Sequence, residues 1–199
     1  LYDYLRRQGN STIFIHQDNP YLTQIAWGLN PVTYGEEDNL YINGHVTGNS
    51  PYLTFEWKAG KAGERHEVQT QLIGDYNFPN ALAAITIGHF FGVEAAKIDK
   101  ALHEYEPRNN RSQLKKTADN TLIIDAYNAN PTSMLAAISN FHNMQAGGKM
   151  LILGDMRELG KDSPGEHQKI VDCLEEYGFK DVALVGELFA ATRHTYPTY

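Results

Sequence analysis

The chain has 199 residues, a formal net charge of −7 and 42% hydrophobic residues, so one or two domains with a real core fit it. The acidic balance argues against non-specific nucleic-acid binding, and no apolar run approaches the ~20 residues that span a bilayer. The single Cys173 rules out an internal disulfide and suits a reducing cytoplasm.

The chain opens Leu1-Tyr2-Asp3-Tyr4 with no secretory pattern and no initiator Met, which suggests a cut from a longer protein. Leu1 to Arg7 reads as the end of a helix stopped by Gly9-Asn10. Thr12 to His16 is a strand, Gln17-Asp18-Asn19-Pro20 turns it into a short helix reaching Trp27, and Val32 to Gly35 is a second strand. Leu40 to Val46 and Tyr52 to Lys58 form a hairpin around Thr47-Gly48-Asn49-Ser50-Pro51. Glu67 to Ile73 alternates as a half-buried strand does. Gly74-Asp75-Tyr76-Asn77-Phe78-Pro79-Asn80 then opens a helix through Leu82, Ile85 and His89 that ends at Gly92. Backbone N–H groups and the dipole at such a start favour anions. The plainer alternative is that Asn77 caps the helix and Asn80 is solvated in its first turn. His89, on an apolar face, reads as a core histidine. Glu94 to Tyr105 is a further helix, and Pro107 stops it.

Glu106-Pro107-Arg108-Asn109-Asn110-Arg111-Ser112 reads as an interdomain linker. Beyond it the pattern alternates strand and helix, which implies a parallel sheet. Leu122 to Ile124 is expected as a buried strand of that sheet. Asn130-Pro131 is a helix start, an Asx cap followed by the residue best tolerated at the first helical position. Its helix carries Met134, Ala137, Ile138, Phe141 and Met144 on one face. Asp125, Asn128 and Asn130 thus stand at the carboxyl end of a strand, where open α/β sheets bind ligands. A carboxylate and two amides there hold hydroxyls and peptide groups; an Asx-rich turn with only a capping role is the competing reading.

Lys149 to Leu153 is a strand running into Asp155, expected on the same sheet edge as Asp125. Ser163-Pro164-Gly165-Glu166 reads as a capping box, and its helix turns Ile170, Leu174 and Tyr177 inward before Gly178. Cys173 and His167 on that helix read as a packing residue and a packed or surface histidine. Val182 to Val185 is the next strand, and Glu187 to Arg193 starts another helix. No Cys/His spacing suggests zinc, and no nucleophile elbow occurs.

Three stretches resemble the Mur ligases, ATP-dependent amide-forming enzymes of peptidoglycan synthesis. Asp125-Ala126-Tyr127-Asn128-Ala129-Asn130-Pro131-Thr132-Ser133-Met134 and Leu153-Gly154-Asp155-Met156-Arg157-Glu158-Leu159-Gly160 are similar to signatures of the branch that adds D-alanyl-D-alanine. Gly74-Asp75-Tyr76-Asn77-Phe78-Pro79-Asn80-Ala81-Leu82-Ala83-Ala84 resembles a motif of the whole family, and Arg111 matches its linker arginine. One departure stands out: Asp75-Tyr76 occupies the place where many members have a residue followed by His.

The resemblance implies an α/β chain in two parts. Residues 1–111 would be the end of the central ATP-binding domain, with a mixed sheet, a β-hairpin and helices. Residues 112–199 would be the first part of a C-terminal Rossmann-like parallel α/β domain. The UDP-binding domain, the P-loop, the magnesium-binding Glu and His and the carbamylated lysine are expected before Leu1, so this stretch alone is expected to be inactive. The implied cofactors are ATP and Mg2+, and no metal ligand is assigned within the chain. By resemblance Asn77 and Asn80 contact the nucleotide at the adenine, Arg111 approaches ATP, and Asp125 holds the ribose hydroxyls. Tyr127, Asn128, Asn130 and Asp155 fall to the D-Ala-D-Ala side. The implied partners are UDP-MurNAc-tripeptide and D-Ala-D-Ala, with no nucleic acid and no membrane span, in a cytoplasmic enzyme of cell-wall synthesis; no motif speaks to oligomeric state. The alternatives are another Mur-type or folylpolyglutamate-synthase-like ligase, and a non-enzymatic nucleotide-binding module.

Overall fold

A computed structural model describes residues 1–8, 11–49, 51–108 and 110–199. Gly9 and Asn10 of the expected helix stop, Ser50 of the hairpin loop and Asn109 of the linker lie outside the described residues. The chain forms two compact units, Leu1–Pro107 and Arg108–Tyr199.

The first unit runs α1 (Tyr2–Arg7), β1 (Phe14–His16), α2 (Pro20–Ile25), β2 (Val32–Gly35), β3 (Ile42–Asn49), β4 (Tyr52–Ala59), β5 (His66–Ile73), α3 (Phe78–Phe90) and α4 (Ala95–Glu104). Its strands make one five-stranded sheet in the order β1-β2-β3-β4-β5. The first three strands pair in parallel, and β3–β4 and β4–β5 pair antiparallel. Alternation in β4 sends Leu53, Phe55 and Trp57 to one face. There they join Ile42 and Val68 from the neighbouring strands and Phe78, Ala81, Leu82 and Ile85 from α3. Asp99 ties α4 to the sheet: it accepts from Trp57 Nε1 at 2.7 Å and lies 2.8 Å from His66 Nδ1, whose ring stacks on Trp57. His89 is half-buried and meets the Tyr41 hydroxyl at 2.9 Å.

The second unit runs β6 (Gln113–Lys116), β7 (Thr121–Ile124), α5 (Pro131–Asn143), β8 (Met150–Gly154), α6 (Ser163–Glu176), β9 (Asp181–Val185) and α7 (Glu187–Ala190). It is α/β, as expected, and β8-α6-β9 is a parallel strand–helix–strand unit in the register Met150↔Asp181 to Gly154↔Val185. Ile138, Met156, Ile170, Val171, Leu174, Val182, Leu184 and Phe189 form its core. The chain end lies along β9, with Leu184 N–H donating to Pro197 and Tyr199 N–H to Leu184.

Three expectations are corrected here. Leu122 to Ile124 is not a buried strand of a parallel sheet: β7 pairs antiparallel with β6, and Leu122 is 43% exposed. The cause is local. Thr117 and Asn120 close a tight turn through their backbone and the Thr117 hydroxyl, which folds Gln113–Lys116 back onto β7. β7 and β8 lie in separate sheets, so Asp125 and Asp155 do not share one sheet edge. Nor is Ser163-Pro164-Gly165-Glu166 a capping box. A 3-10 turn over Gly160–Asp162 leads straight into α6, Ser163 is already helical and makes no cap, and its hydroxyl turns inward to His167.

Candidate functional site

In the first unit the candidate residues gather where β5 gives way to α3. Gly74 has φ +89, and a Cβ there would stand 2.2 Å from Cε1 of Tyr76, so the turn needs glycine both for its backbone and for the ring beside it. A 3-10 turn over Asp75–Asn77 follows, and α3 begins with Pro79 in its first turn. Asn77 makes no side-chain cap. Its Nδ2 donates to the Ile73 carbonyl at 2.8 Å, which ties the helix start to the strand end. The capping alternative for Asn77 is corrected accordingly, and Asn80, exposed, reaches the Asn77 amide oxygen at 3.4 Å.

In the second unit the hairpin fixes the neighbourhood of Asp125. Because Gln113 pairs with Ile124, the residues before β6 lie beside those after β7. The Ala126 N–H donates to the Asn110 carbonyl at 2.7 Å, and the buried Ser112 hydroxyl donates to Asp125 Oδ2 at 3.4 Å. Asn110 and Ser112 both adopt left-handed backbone, with φ of 52° and 47°. Between them, the Arg111 guanidinium carbon lies 3.8 Å from the centroid of the Tyr127 ring. Asp125, Tyr127, Asn128 and Asn130 are all exposed. Asn130 caps α5: its Oδ1 accepts from Ser133 N–H at 3.0 Å, and Pro131 opens the helix. Asn128 makes no side-chain hydrogen bond among the described residues, so its amide faces solvent.

Asp155 is differently placed. One of its oxygens accepts from Leu188 N–H at 3.1 Å and the other from Phe189 N–H at 3.0 Å, at the start of α7. Behind it His167 is fully buried. Its Nε2 accepts from Met156 N–H at 3.0 Å, so the ring proton sits on Nδ1 and donates to the Ser163 carbonyl at 2.8 Å. With both ring nitrogens engaged, the 4.0 Å approach of Nε2 to Asp155 is a packing contact and not an ion pair.

The structure therefore brings Asn77 together with Asn80, Arg111 with Tyr127, and the neighbouring Ser112 with Asp125, each set within its own unit. Asp155 stands with His167 and the start of α7. Sequence reasoning missed the Arg111–Tyr127 stack and the His167 brace. The first depends on a hairpin register that β6 does not advertise, and the second on a helix start that a serine pattern disguises. Among the described residues no group of three or more His, Cys, Asp or Glu side chains is placed to hold a metal ion, and no helix is long and apolar enough to cross a membrane.

Residues 110–195 match the family described as Mur ligase, glutamate ligase domain. Over 146 residues the chain is 45% identical to a UDP-N-acetylmuramoyl-tripeptide–D-alanyl-D-alanine ligase of Bacillus subtilis (strain 168), covering 72% of this chain and 31% of that relative. Among solved structures, MurF from Acinetobacter baumannii superposes with a TM-score of 0.80 at 26% identity, over 92% of this chain and 40% of that one. A MurF ligase from Thermotoga maritima, solved in complex with ADP, shares the fold with a TM-score of 0.78 at 17% identity, over 92% of this chain and 42% of that one. The chain thus spans about a third of the length of the Bacillus relative. By the domain match, residues 110–195 are a Mur ligase domain, and with the motifs and the fold the whole chain is similar to ligases of that family.

Proposed function

We propose that the chain is part of an ATP-dependent ligase that joins D-alanyl-D-alanine to UDP-N-acetylmuramoyl-tripeptide in the cytoplasm, in peptidoglycan synthesis. The observation that carries this reading is the exposed strand end Asp125 to Asn128 running into the capped start of α5. The names of the relatives supply the two molecules joined, and the family resemblance implies the route. In it the terminal carboxylate of the tripeptide takes the γ-phosphoryl group of ATP and ADP leaves. The amine of D-Ala-D-Ala then attacks the carbonyl carbon, loses a proton and expels phosphate. Catalysis of such steps is positioning and charge neutralisation.

Each candidate residue has a part suited to its chemistry. An exposed carboxylate at a strand end accepts hydrogen bonds from a ribose diol, which suits Asp125. Arg111 offers a guanidinium for phosphate oxygens. Asn77 and Asn80, linked to each other, present amide groups of the kind that pairs with an adenine edge. On the dipeptide side, Asn128 has an amide with no side-chain hydrogen bond among the described residues, and Tyr127 a nearby phenol. In the first turn of α5 Pro131 lacks an N–H and that of Ser133 is taken by Asn130, so Thr132 N–H is the amide placed for a carboxylate. Asp155, with both oxygens engaged by the start of α7, fits a structural part better than direct contact with the dipeptide. The exposed carboxylate and guanidinium suit a nucleotide. Magnesium would neutralise the phosphate charge, but the described residues offer no cluster for it, so no ligand is assigned to this chain.

The test is steady-state kinetics in a ligase of full family length carrying this chain. Asp125→Ala raises the Michaelis constant for ATP more than that for D-Ala-D-Ala. The reverse order would move Asp125 to the dipeptide, and an enzyme that does not consume ATP with D-Ala-D-Ala would overturn the reading.

A further inference from the structure

The stretch between the two left-handed residues has a geometry that the functional reading leaves unused. Arg111 is exposed, and so is Tyr127, at 62%. Burial therefore does not force the two side chains together, yet the guanidinium carbon is only 3.8 Å from the ring centroid. The backbone on either side accounts for it. Asn110 is held by its carbonyl to Ala126 N–H and Ser112 by its hydroxyl to Asp125. Asn110 tolerates its positive φ, but for Ser112 such a conformation is uncommon and is over-determined by its surroundings. Here the over-determination is visible: the segment on both sides of Arg111 is fastened to the strand end that carries Asp125 and Tyr127.

We propose that Tyr127 is a positioning residue on the nucleotide side, a platform that orders the Arg111 guanidinium on the segment that Ser112 fastens to Asp125, so that the phosphate-binding and ribose-binding groups are presented as one preformed unit. This rests on the assignment of Arg111 and Asp125 to ATP, and it shifts Tyr127 from the dipeptide to the nucleotide. A planar guanidinium lying on an aromatic face keeps its edge N–H groups free for an anion while losing the freedom of its long side chain. Without the ring Arg111 must be ordered by the nucleotide itself, and ATP affinity falls. The phenol oxygen has no part in the stack, so phenylalanine serves as well.

Two measurements test this and separate its failure from that of the functional reading. In the chain as it stands, ring-current shifts displace the Arg111 side-chain proton resonances upfield. They remain in Tyr127→Phe and vanish in Tyr127→Leu, with melting temperature followed in parallel. Unshifted Arg111 resonances in the unsubstituted chain would overturn the platform whatever the enzyme does. In the full-length ligase, Tyr127→Leu raises the Michaelis constant for ATP by roughly two- to fivefold, the scale of an exposed cation–π contact. Tyr127→Phe restores it, and the constant for D-Ala-D-Ala stays within error. A rise confined to D-Ala-D-Ala, or a Tyr127→Phe variant as impaired as Tyr127→Leu, would return Tyr127 to the dipeptide and sink the proposal. Absence of ligation by the unsubstituted enzyme would instead fall on the functional reading, while the ring-current result would still stand.

Discussion

The Asp155 carboxylate fills the space that a side chain on Gly186 would need: a Cβ there would stand 2.2 Å from Asp155 Oδ2. Gly186 also has φ +118, where side chains are strained. The residue is glycine because the carboxylate must pass it to reach Leu188 and Phe189 N–H. Gly186→Ala is expected to lower stability by about 1–3 kcal/mol, since it adds backbone strain and displaces the carboxylate. Asp155→Ala is expected to cost about 1.5–3 kcal/mol through the lost charge-assisted hydrogen bonds. The double variant should lose less than the sum, because both single changes break the same contact. Urea denaturation of the three variants measures this, and strict additivity would show that the two residues act separately.

Asn128 and Asn130 are two residues apart and should respond in opposite ways. Asn130→Ala removes the cap of α5, so it is expected to cost about 0.5–2 kcal/mol of stability. Asn128→Ala removes an amide that makes no side-chain hydrogen bond among the described residues, so the melting temperature should not move. In the full-length ligase its catalytic efficiency with D-Ala-D-Ala should fall roughly ten- to a hundredfold, the scale of one hydrogen bond to a charged group. If Asn128→Ala melts and turns over as the parent does, Asn128 is a turn residue and nothing more.

Burial in α6, and then the nearby Glu176 carboxylate, push the Cys173 thiol above its ordinary range. Its alkylation rate should therefore rise with pH along a curve displaced to higher pH than in the urea-unfolded chain. The sign for stability follows. Below the unfolded thiol's pKa both states keep the proton and nothing changes. Between the unfolded and the folded pKa the unfolded chain binds fewer protons, so stability falls as pH rises. Cys173→Ser should flatten that alkaline slope, and coincident alkylation curves for folded and unfolded chains would contradict the shift.

Features encoded within a few residues are legible in the sequence. Asn130-Pro131 marks a helix start because an Asx oxygen and a fixed proline φ act within a single turn, and the cap is found there. The Gly74 turn into α3 is legible for the same reason. What escapes depends on partners. Gln113–Lys116 has one apolar residue and two exposed lysines, so β6 gives almost no hydrophobic signal, and without it Leu122 to Ile124 reads as part of a parallel sheet. The Arg111–Tyr127 stack is then unreadable, because only the hairpin register sets those side chains together. Ser163 followed by Glu166 has the spacing of a capping box, but a 3-10 turn before it carries the serine inside, where it meets His167. A histidine expected to be packed or at the surface thus proves fully buried with both ring nitrogens engaged.

The turn at Thr117 to Asn120 also has a consequence for the order of assembly. A hairpin with so short a connection closes in about 1–10 μs, whereas the pairing of Met150 with Asp181 must wait for α6 to cross between the strands. Arg111 and Tyr127 therefore meet early in the folding of the second unit. A lone two-stranded ribbon is only marginally stable in water, however, so they meet many times and part again. Their contact becomes lasting when α5, whose capped start lies just beyond Tyr127, packs Ile138 into the core.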